Sequence, residues 1–358
     1  MMMSKQPSSA EITYDVASAV SIGGRDCQED AIVADFPQGA GYGFVVLADG
    51  MGGHAAGDIA SRIVVTEVFS ELKLQSNDLA RFARDINPIL RQAARAANAC
   101  VMAHANADPG TRGMGATLLA PVLLGNRLHW ISVGDSPLYL FRDGKLRQLN
   151  EDHSLAPQID HMVRSGRMTE DRGRNHPDRN CLTSVLIGLE IPRLDCPERP
   201  VILEPGDIVI ASSDGLQFLD ESDIAALLNL MRDETSASIA AALMNAIEEL
   251  ADPDQDNVAL AVIRLPFDQG SESQQPVAPE PVAQPAHDMA HASGRRGRMT
   301  VMASRSKSGV AMMCRIGNAR GAGDMNRAAE VGAIRDSLLS ALDRGRCPKR
   351  PANRQCSC

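Results

Sequence analysis

No stretch of this sequence approaches the roughly 18 uninterrupted apolar residues that a bilayer-spanning segment needs, and residues 1–17 lack the apolar core of a secretory signal. A cytoplasmic chain without a membrane span is the expectation. The eight cysteines follow no zinc or disulfide spacing; Cys27, Cys100, Cys181 and Cys196 are scattered through the first 270 residues and are expected to be ordinary reduced thiols. There is no glycine-rich Walker-type loop to cradle nucleotide phosphates, and no internal repeat. Basic residues are scarce as well. Residues 1–270 hold 38 acidic against 22 basic side chains, a balance that repels nucleic acid, whose binding rests on neutralising phosphates with lysine and arginine.

What the chain does have divides at about residue 268. Up to there, apolar runs alternate with turn signals, as in a single globular domain covering residues 1–268. Residues 269–293 are rich in Pro, Ala and Gln and read as a linker, because such a composition cannot bury enough apolar surface to offset the entropy of ordering. Residues 294–358 read as a basic, disordered tail; from residue 271 onward there are 14 basic against 7 acidic side chains.

Within the domain, strand patterns at 14–22 and 31–35 precede a continuous apolar run at 44–48 (FVVLA) that ends in Asp49-Gly-Met-Gly-Gly-His54. Helical spacing follows over 55–74 and 79–106, with Pro88 breaking or starting a helix. Short strands are then expected at 116–124, 127–133, 137–142 and 145–149, with Gly125-Asn126 and Asp143-Gly144 as hairpin turns. Residues 150–180 form a polar excursion with one helical stretch near 159–165. Strands at 201–203 and 207–212, helices at 223–231 and 236–250 and a strand at 258–265 complete the domain. Strands and helices are segregated rather than alternating, which argues for an α+β fold of antiparallel sheets covered by helices.

Aspartates recur at strand termini: Asp30 before one, Asp49 and Asp214 after apolar runs and each followed by glycine, Asp135 after another, and Asp256 before the last. Any one alone reads as a turn residue. Five together, without histidine or cysteine partners, are an all-oxygen donor set of the kind that suits magnesium or manganese rather than zinc.

These residues resemble the metal-dependent serine/threonine protein phosphatases, the PPM or type-2C family. The resemblance covers residues 12–265 and rests on Gly24-Arg25-Asp-Cys-Gln-Glu29-Asp30, Ala48-Asp49-Gly50-Met-Gly-Gly-His54, Gly113-Met-Gly-Ala-Thr117, Gly134-Asp135-Ser136, Ser213-Asp214-Gly215 and Asp256-Asn257, in that family's order. It implies a four-layer α-β-β-α sandwich and a pair of Mn2+ or Mg2+ ions, with room for a weaker third. Asp49 would bridge the pair, Asp214 and Asp256 would bind one ion and the Gly50 carbonyl the other, and Asp135 would bind the weaker third. Asp30 would orient bound waters and Arg25 would clamp the phosphate. The implied reaction is hydrolysis of phosphoserine and phosphothreonine by direct attack of a metal-bridging water.

The implied substrates are phosphorylated proteins, the clients of a Ser/Thr kinase, and a monomer is expected. The histidine of eukaryotic members is Met51 here, which leaves a metal-bound water as the acid, with His54 read as structural. The sequence also departs from the family pattern at Gln28 and Pro137. His153, His161 and His176 are read as solvated. Two alternatives stand beside this reading: a phosphatase-like module that only binds phosphoproteins, and a metal-dependent phosphatase of small phosphate esters.

Overall fold

The computed structural model describes residues 14–52, 56–265, 299–306 and 309–316, the last two segments by their backbone alone. The chain forms β1 (Asp15–Ser21), β2 (Asp30–Asp35), β3 (Tyr42–Met51), α1 (Gly57–Gln75), α2 (Leu79–Arg84) and α3 (Ile86–Ala107). It continues through β4 (Gly115–Ala116), β5 (Leu118–Leu124), β6 (Arg127–Val133), β7 (Leu138–Arg142), β8 (Lys145–Gln148), α4 (Ala156–Arg164) and α5 (Glu170–Arg174). The body ends with β9 (Val201–Ile202), β10 (Ile208–Ser212), α6 (Glu221–Leu230), α7 (Ser236–Leu250) and β11 (Val258–Arg264). Outside it, β12 (Met299–Ser306) and β13 (Gly309–Ile316) pair as an antiparallel hairpin within the segment read from sequence as a disordered tail.

Two antiparallel sheets result. One has the order β1-β11-β10-β7-β8; the other runs β2-β3-β5-β6-β9, with β4 pairing to β3. The alternation of side chains along each strand explains the continuous apolar runs. On β3, Phe44, Val46 and Ala48 face α1 and α3, while Val45 and Leu47 face the opposite sheet. On β11, Val258, Leu260 and Val262 pack under α6 and α7, and Ala259, Ala261 and Ile263 meet Val45, Leu47 and Leu119 in the central layer. Both faces of each sheet are thus covered, giving the α-β-β-α sandwich, and strands with two buried faces have no polar side to alternate.

Local chemistry sets the boundaries. The Asp143-Gly144 turn joins register partners Arg142 and Lys145, and both turn residues have positive φ, 50° and 75°. Asp78 caps α2 by accepting from Arg81 N, and Thr235 caps α7 by accepting from Ser238 N. The long helical pattern divides at Asp85, which places Pro88 in the first turn of α3, where a missing N–H costs least. The excursion at 150–180 contains two short helices rather than one. Cys100, Cys181 and Cys196 keep their thiols, whereas Cys27 is disulfide-bonded, against the reduced reading. Among the described residues, no helix is long and apolar enough to cross a membrane.

Leu119 is fully buried in the layer between the sheets. Leu119→Ala should lower unfolding free energy by about 2–5 kcal/mol, measured by urea denaturation, through lost transfer energy and the cavity left behind. A change below about 0.5 kcal/mol would contradict the packing described.

Candidate functional site

The five aspartates singled out from sequence meet at one edge of the sandwich, where both sheets supply strand ends. Asp30 and Asp49 are register partners on β2 and β3. Asp49 is not past the end of its strand as the sequence suggested: β3 continues through Gly50 and Met51, which pair with Ala116 and Gly115 of β4. That short added ladder holds the residue rigidly. Asp214 follows β10 and Asp256 precedes β11, its hydrogen-bonded neighbour, and Asp135 lies just beyond β6.

Uncharged side chains lock these backbones together. Asp49 N donates to Thr117 Oγ1 at 2.9 Å, while Thr117 N donates to Asp49 O at 2.8 Å. Thr117 Oγ1 lies 3.0 Å from Ser136 Oγ, tying Asp49 to the loop that carries Asp135. Ser213 joins the two sheets: its hydroxyl donates to Asp30 Oδ2 at 2.6 Å and accepts from Ala259 N at 2.9 Å. Asn257 accepts from Glu29 N at 2.7 Å and donates to Ile22 O and Cys27 O at 2.8 and 3.0 Å, fixing the loop before β2 against β11. Gln28, a departure from the family pattern, accepts from Asp30 N at 2.9 Å and donates to Ser21 O at 2.8 Å, so the departure is absorbed without displacing Asp30.

Thr117, Ser136, Ser213 and Asn257 are functional positions to which sequence reasoning gave no role, although each lies inside a motif that was noticed. Two glycines are required by crowding. A Cβ on Gly50 would stand 2.0 Å from Gly57 O, and one on Gly215 would stand 2.0 Å from Asn257 O.

The electrostatics are severe. Burial, followed by the charges of neighbouring aspartates, raises the Asp49 carboxyl well above the usual range. Asp30 is raised by burial against the opposing hydrogen bond from Ser213, with Asp214 and Asp256 adding repulsion. Burial pushes Asp135 up to about 8, with Asp214 and Asp152 the next causes, and Asp214 up to about 6, with Asp256 the next. Asp30 Oδ1 and Asp214 Oδ1 are buried with no donor to satisfy them, although the Asp49 carboxyl lies close enough to both to share a proton.

As the side chains stand, no three His, Cys, Asp or Glu groups among the described residues form a compact ligand set. The orphaned acceptor oxygens and the shared repulsion are nevertheless what a divalent cation would resolve, and the donor chemistry is oxygen throughout. The residues fit such an ion.

Arg25 stands at the mouth with its side chain 54% exposed and donates to Asp256 Oδ2 at 2.5 Å. His54 lies outside the described residues. His153 is fully buried rather than solvated: its Nδ1 accepts from Gly134 N at 3.2 Å, and its backbone N–H donates to Gly134 O at 3.0 Å. Burial lowers its pKa and keeps it neutral, so it works as a brace beside Asp135. His161 is exposed and His176 half-buried.

A family model described as "Protein phosphatase 2C" matches residues 22–251, and the chain belongs to that family. The serine/threonine protein phosphatase PstP of Mycobacterium tuberculosis is 37% identical over 191 residues, which are 52% of this chain and 35% of that protein, so the chain matches about a third of that relative's length. The serine/threonine phosphatase Stp of Listeria monocytogenes is 33% identical over 189 residues, 52% of this chain and 72% of that protein. The crystal structure of M. tuberculosis PstP superposes with a TM-score of 0.59 at 31% identity, covering 71% of this chain and 99% of that one. A structure of the PstP catalytic domain in complex with two manganese ions superposes with a TM-score of 0.56 at 30% identity, covering 71% of this chain and all of that one.

Carboxyls with raised folded-state pKa values stabilise the fold while protonated. Their contribution is whole below the ordinary value of 3.8 and is lost as pH rises through about 6 for Asp214 and about 8 for Asp135. With divalent ions chelated, the thermal midpoint should therefore fall between about pH 5 and about pH 8.5, and added Mn2+ should raise it more at the upper pH. A chelated protein whose midpoint climbs over that range would contradict the electrostatic description.

Proposed function

We propose that this chain is a protein serine/threonine phosphatase dependent on two divalent cations, manganese or magnesium, acting on phosphoproteins that are clients of a Ser/Thr kinase. The observation that carries the reading is the gathering of Asp30, Asp49, Asp135, Asp214 and Asp256 into one mutually repelling cluster at the sandwich edge. Asp49, the Gly50 carbonyl, Asp214 and Asp256 would hold the pair, and Asp135 a weaker third ion. When bound, such ions supply the positive charge that makes hydroxide available near neutral pH and offsets charge on the phosphoryl group.

The chain's own residues do the remaining work. Thr117 and the β4 ladder keep Asp49 from moving as charge shifts around it. Asp30, gripped by Ser213 and Gln28, offers its second oxygen to orient a water. Arg25, exposed and paired with Asp256 through one nitrogen, has the planar fork suited to a phosphate, and a substrate anion would compete for it. Met51 has no proton to give, so the leaving serine or threonine oxygen takes its proton from water. That the two PstP structures are of a serine/threonine phosphatase, one of them with two manganese ions, supports the same reading.

The full chain with Mn2+ should hydrolyse p-nitrophenyl phosphate and a phosphothreonine peptide, lose both activities in EDTA, and regain them when Mn2+ is restored. Asp214→Asn should reduce kcat by roughly 100-fold or more while the protein stays folded by circular dichroism. Activity unchanged by EDTA would refute the metal dependence. Faster turnover of a nucleotide than of the peptide would refute the protein substrate class.

A further inference from the structure

Beyond Asp49, the face of β3 that carries it turns apolar. Val45 and Leu47 point into the layer between the sheets, and the alternation along the strand puts Asp49 and Met51 on that same side, roughly 7 Å apart. Met51 pairs with Gly115 of β4, and partners across an antiparallel ladder share a face. Gly115 has no side chain there, and Ile187 takes the space: a Cβ on Gly115 would stand 2.5 Å from Ile187 Cγ2 and 3.5 Å from Met51 Cγ. Met51 and Ile187 thus meet over a glycine, on the side of the strand that Asp49 presents to the site.

The turn carrying Ile187 is held by β4 and α3. Ala116 and Leu186 exchange backbone hydrogen bonds at 3.1 and 3.0 Å. Asn98 of α3 donates to Leu189 O at 2.6 Å and accepts from Gly188 N at 2.7 Å. Gly188 packs so closely on the same helix that a Cβ there would stand 2.5 Å from Met102 Cβ. Although so anchored, Ile187 and Leu189 keep 36% and 61% of their surface open, and Met51 is only half-buried. Exposed apolar side chains scattered singly are ordinary, but two on one pinned turn, beside a third at the rim of the aspartate site, make a patch.

We propose that Met51 and Ile187 form a subsite for an apolar side chain of the substrate protein, two residues from the phosphorylated one; this rests on the phosphatase reading above. In an extended peptide, side chains two apart point the same way and stand roughly 7 Å from each other, the separation of Asp49 and Met51 along β3. A phosphorylated side chain aimed at the aspartates therefore brings that neighbour over Met51 and Ile187, where it covers apolar surface otherwise wetted. The pinned turn does not have to reorganise to receive it. Continuity of the patch with the aspartate site on one strand face selects a substrate as the occupant.

The test uses the full chain with Mn2+ and phosphothreonine peptides that differ only in carrying Leu, Ala or Glu at the second position before or after the phosphorylated residue. p-Nitrophenyl phosphate serves as a substrate without flanking residues. At one of those two positions Leu should raise kcat/KM about fivefold to tenfold over Ala, with Glu below Ala. Ile187→Lys should invert the order so that the Glu peptide exceeds the Leu peptide, and the milder Ile187→Ala should cut the advantage of Leu to about twofold or less. Each readout is a ratio between peptides on one protein, so a general loss of activity or stability does not move it. Turnover of p-nitrophenyl phosphate with no preference among the peptides at either position, or a preference kept by both variants, would overturn the subsite and leave the phosphatase reading standing. Failure of the unmodified protein to hydrolyse any of these esters would overturn both. A dimer in sedimentation velocity that Ile187→Lys separates would give the patch to a second copy and overturn the proposal as well.

Discussion

Five carboxylates brought within one another's field are an expense that a fold does not carry without a use. Like charges sharing a partly buried site repel strongly because the surrounding dielectric is low, and the result is visible in Asp135 and Asp214, pushed up to about 8 and 6. The sandwich makes this concentration possible because both sheets end at the same edge. Asp30 and Asp49 come from one sheet, Asp214 and Asp256 flank adjacent strands of the other, and Ser213 bonds across the gap. Tight backbone approaches at Gly50 and Gly215, and the paired bonds between Asp49 and Thr117, prevent the repulsion from simply pushing the strands apart.

The excursion after β8 is attached to the same edge. His153 brackets Gly134 with two hydrogen bonds, Thr183 N and Oγ1 both donate to His153 O, and Ser154 forms an isolated bridge with Leu182. Its roots are therefore rigid beside Asp135, and Asp152 contributes to the raised pKa there. Farther out, Arg179 pairs with Asp160 on α4 at 2.6 Å, holding the end of the excursion to its first helix. Variation in the outer part of this segment would leave the aspartates in place, because the two are joined at a braced base.

Much of the fold could be read from the chain because its strands are buried on both faces, leaving apolar runs bounded by turns. The Asp143-Gly144 and Gly125-Asn126 hairpins came directly from turn chemistry. The partition of strands did not. Strand β1 leaves its sequence neighbour β2 and pairs with β11 at the far end of the domain, a contact that no local pattern encodes. The same distinction holds at the site. The aspartates stood out because charged residues beside apolar runs are conspicuous, whereas Thr117, Ser136 and Ser213 are small hydroxyl residues whose importance depends on the backbone atom each faces. His153 was misjudged because its neighbours in sequence are polar, while its neighbours in space are the backbone of Gly134 and the buried edge of the sheet. The reach of β3 past Asp49 was hidden by the glycines, which signal a turn but here continue a ladder to β4.

The claim on which the rest stands is that this cluster is a cation site. A crystal of the protein soaked in MnCl2 and measured at the manganese absorption edge should show strong anomalous peaks enclosed by Asp49, Asp214 and Asp256, with the Gly50 carbonyl facing one of them. Peaks confined to other surfaces, with Asp256 still paired to Arg25 and Asp30 to Ser213, would contradict it.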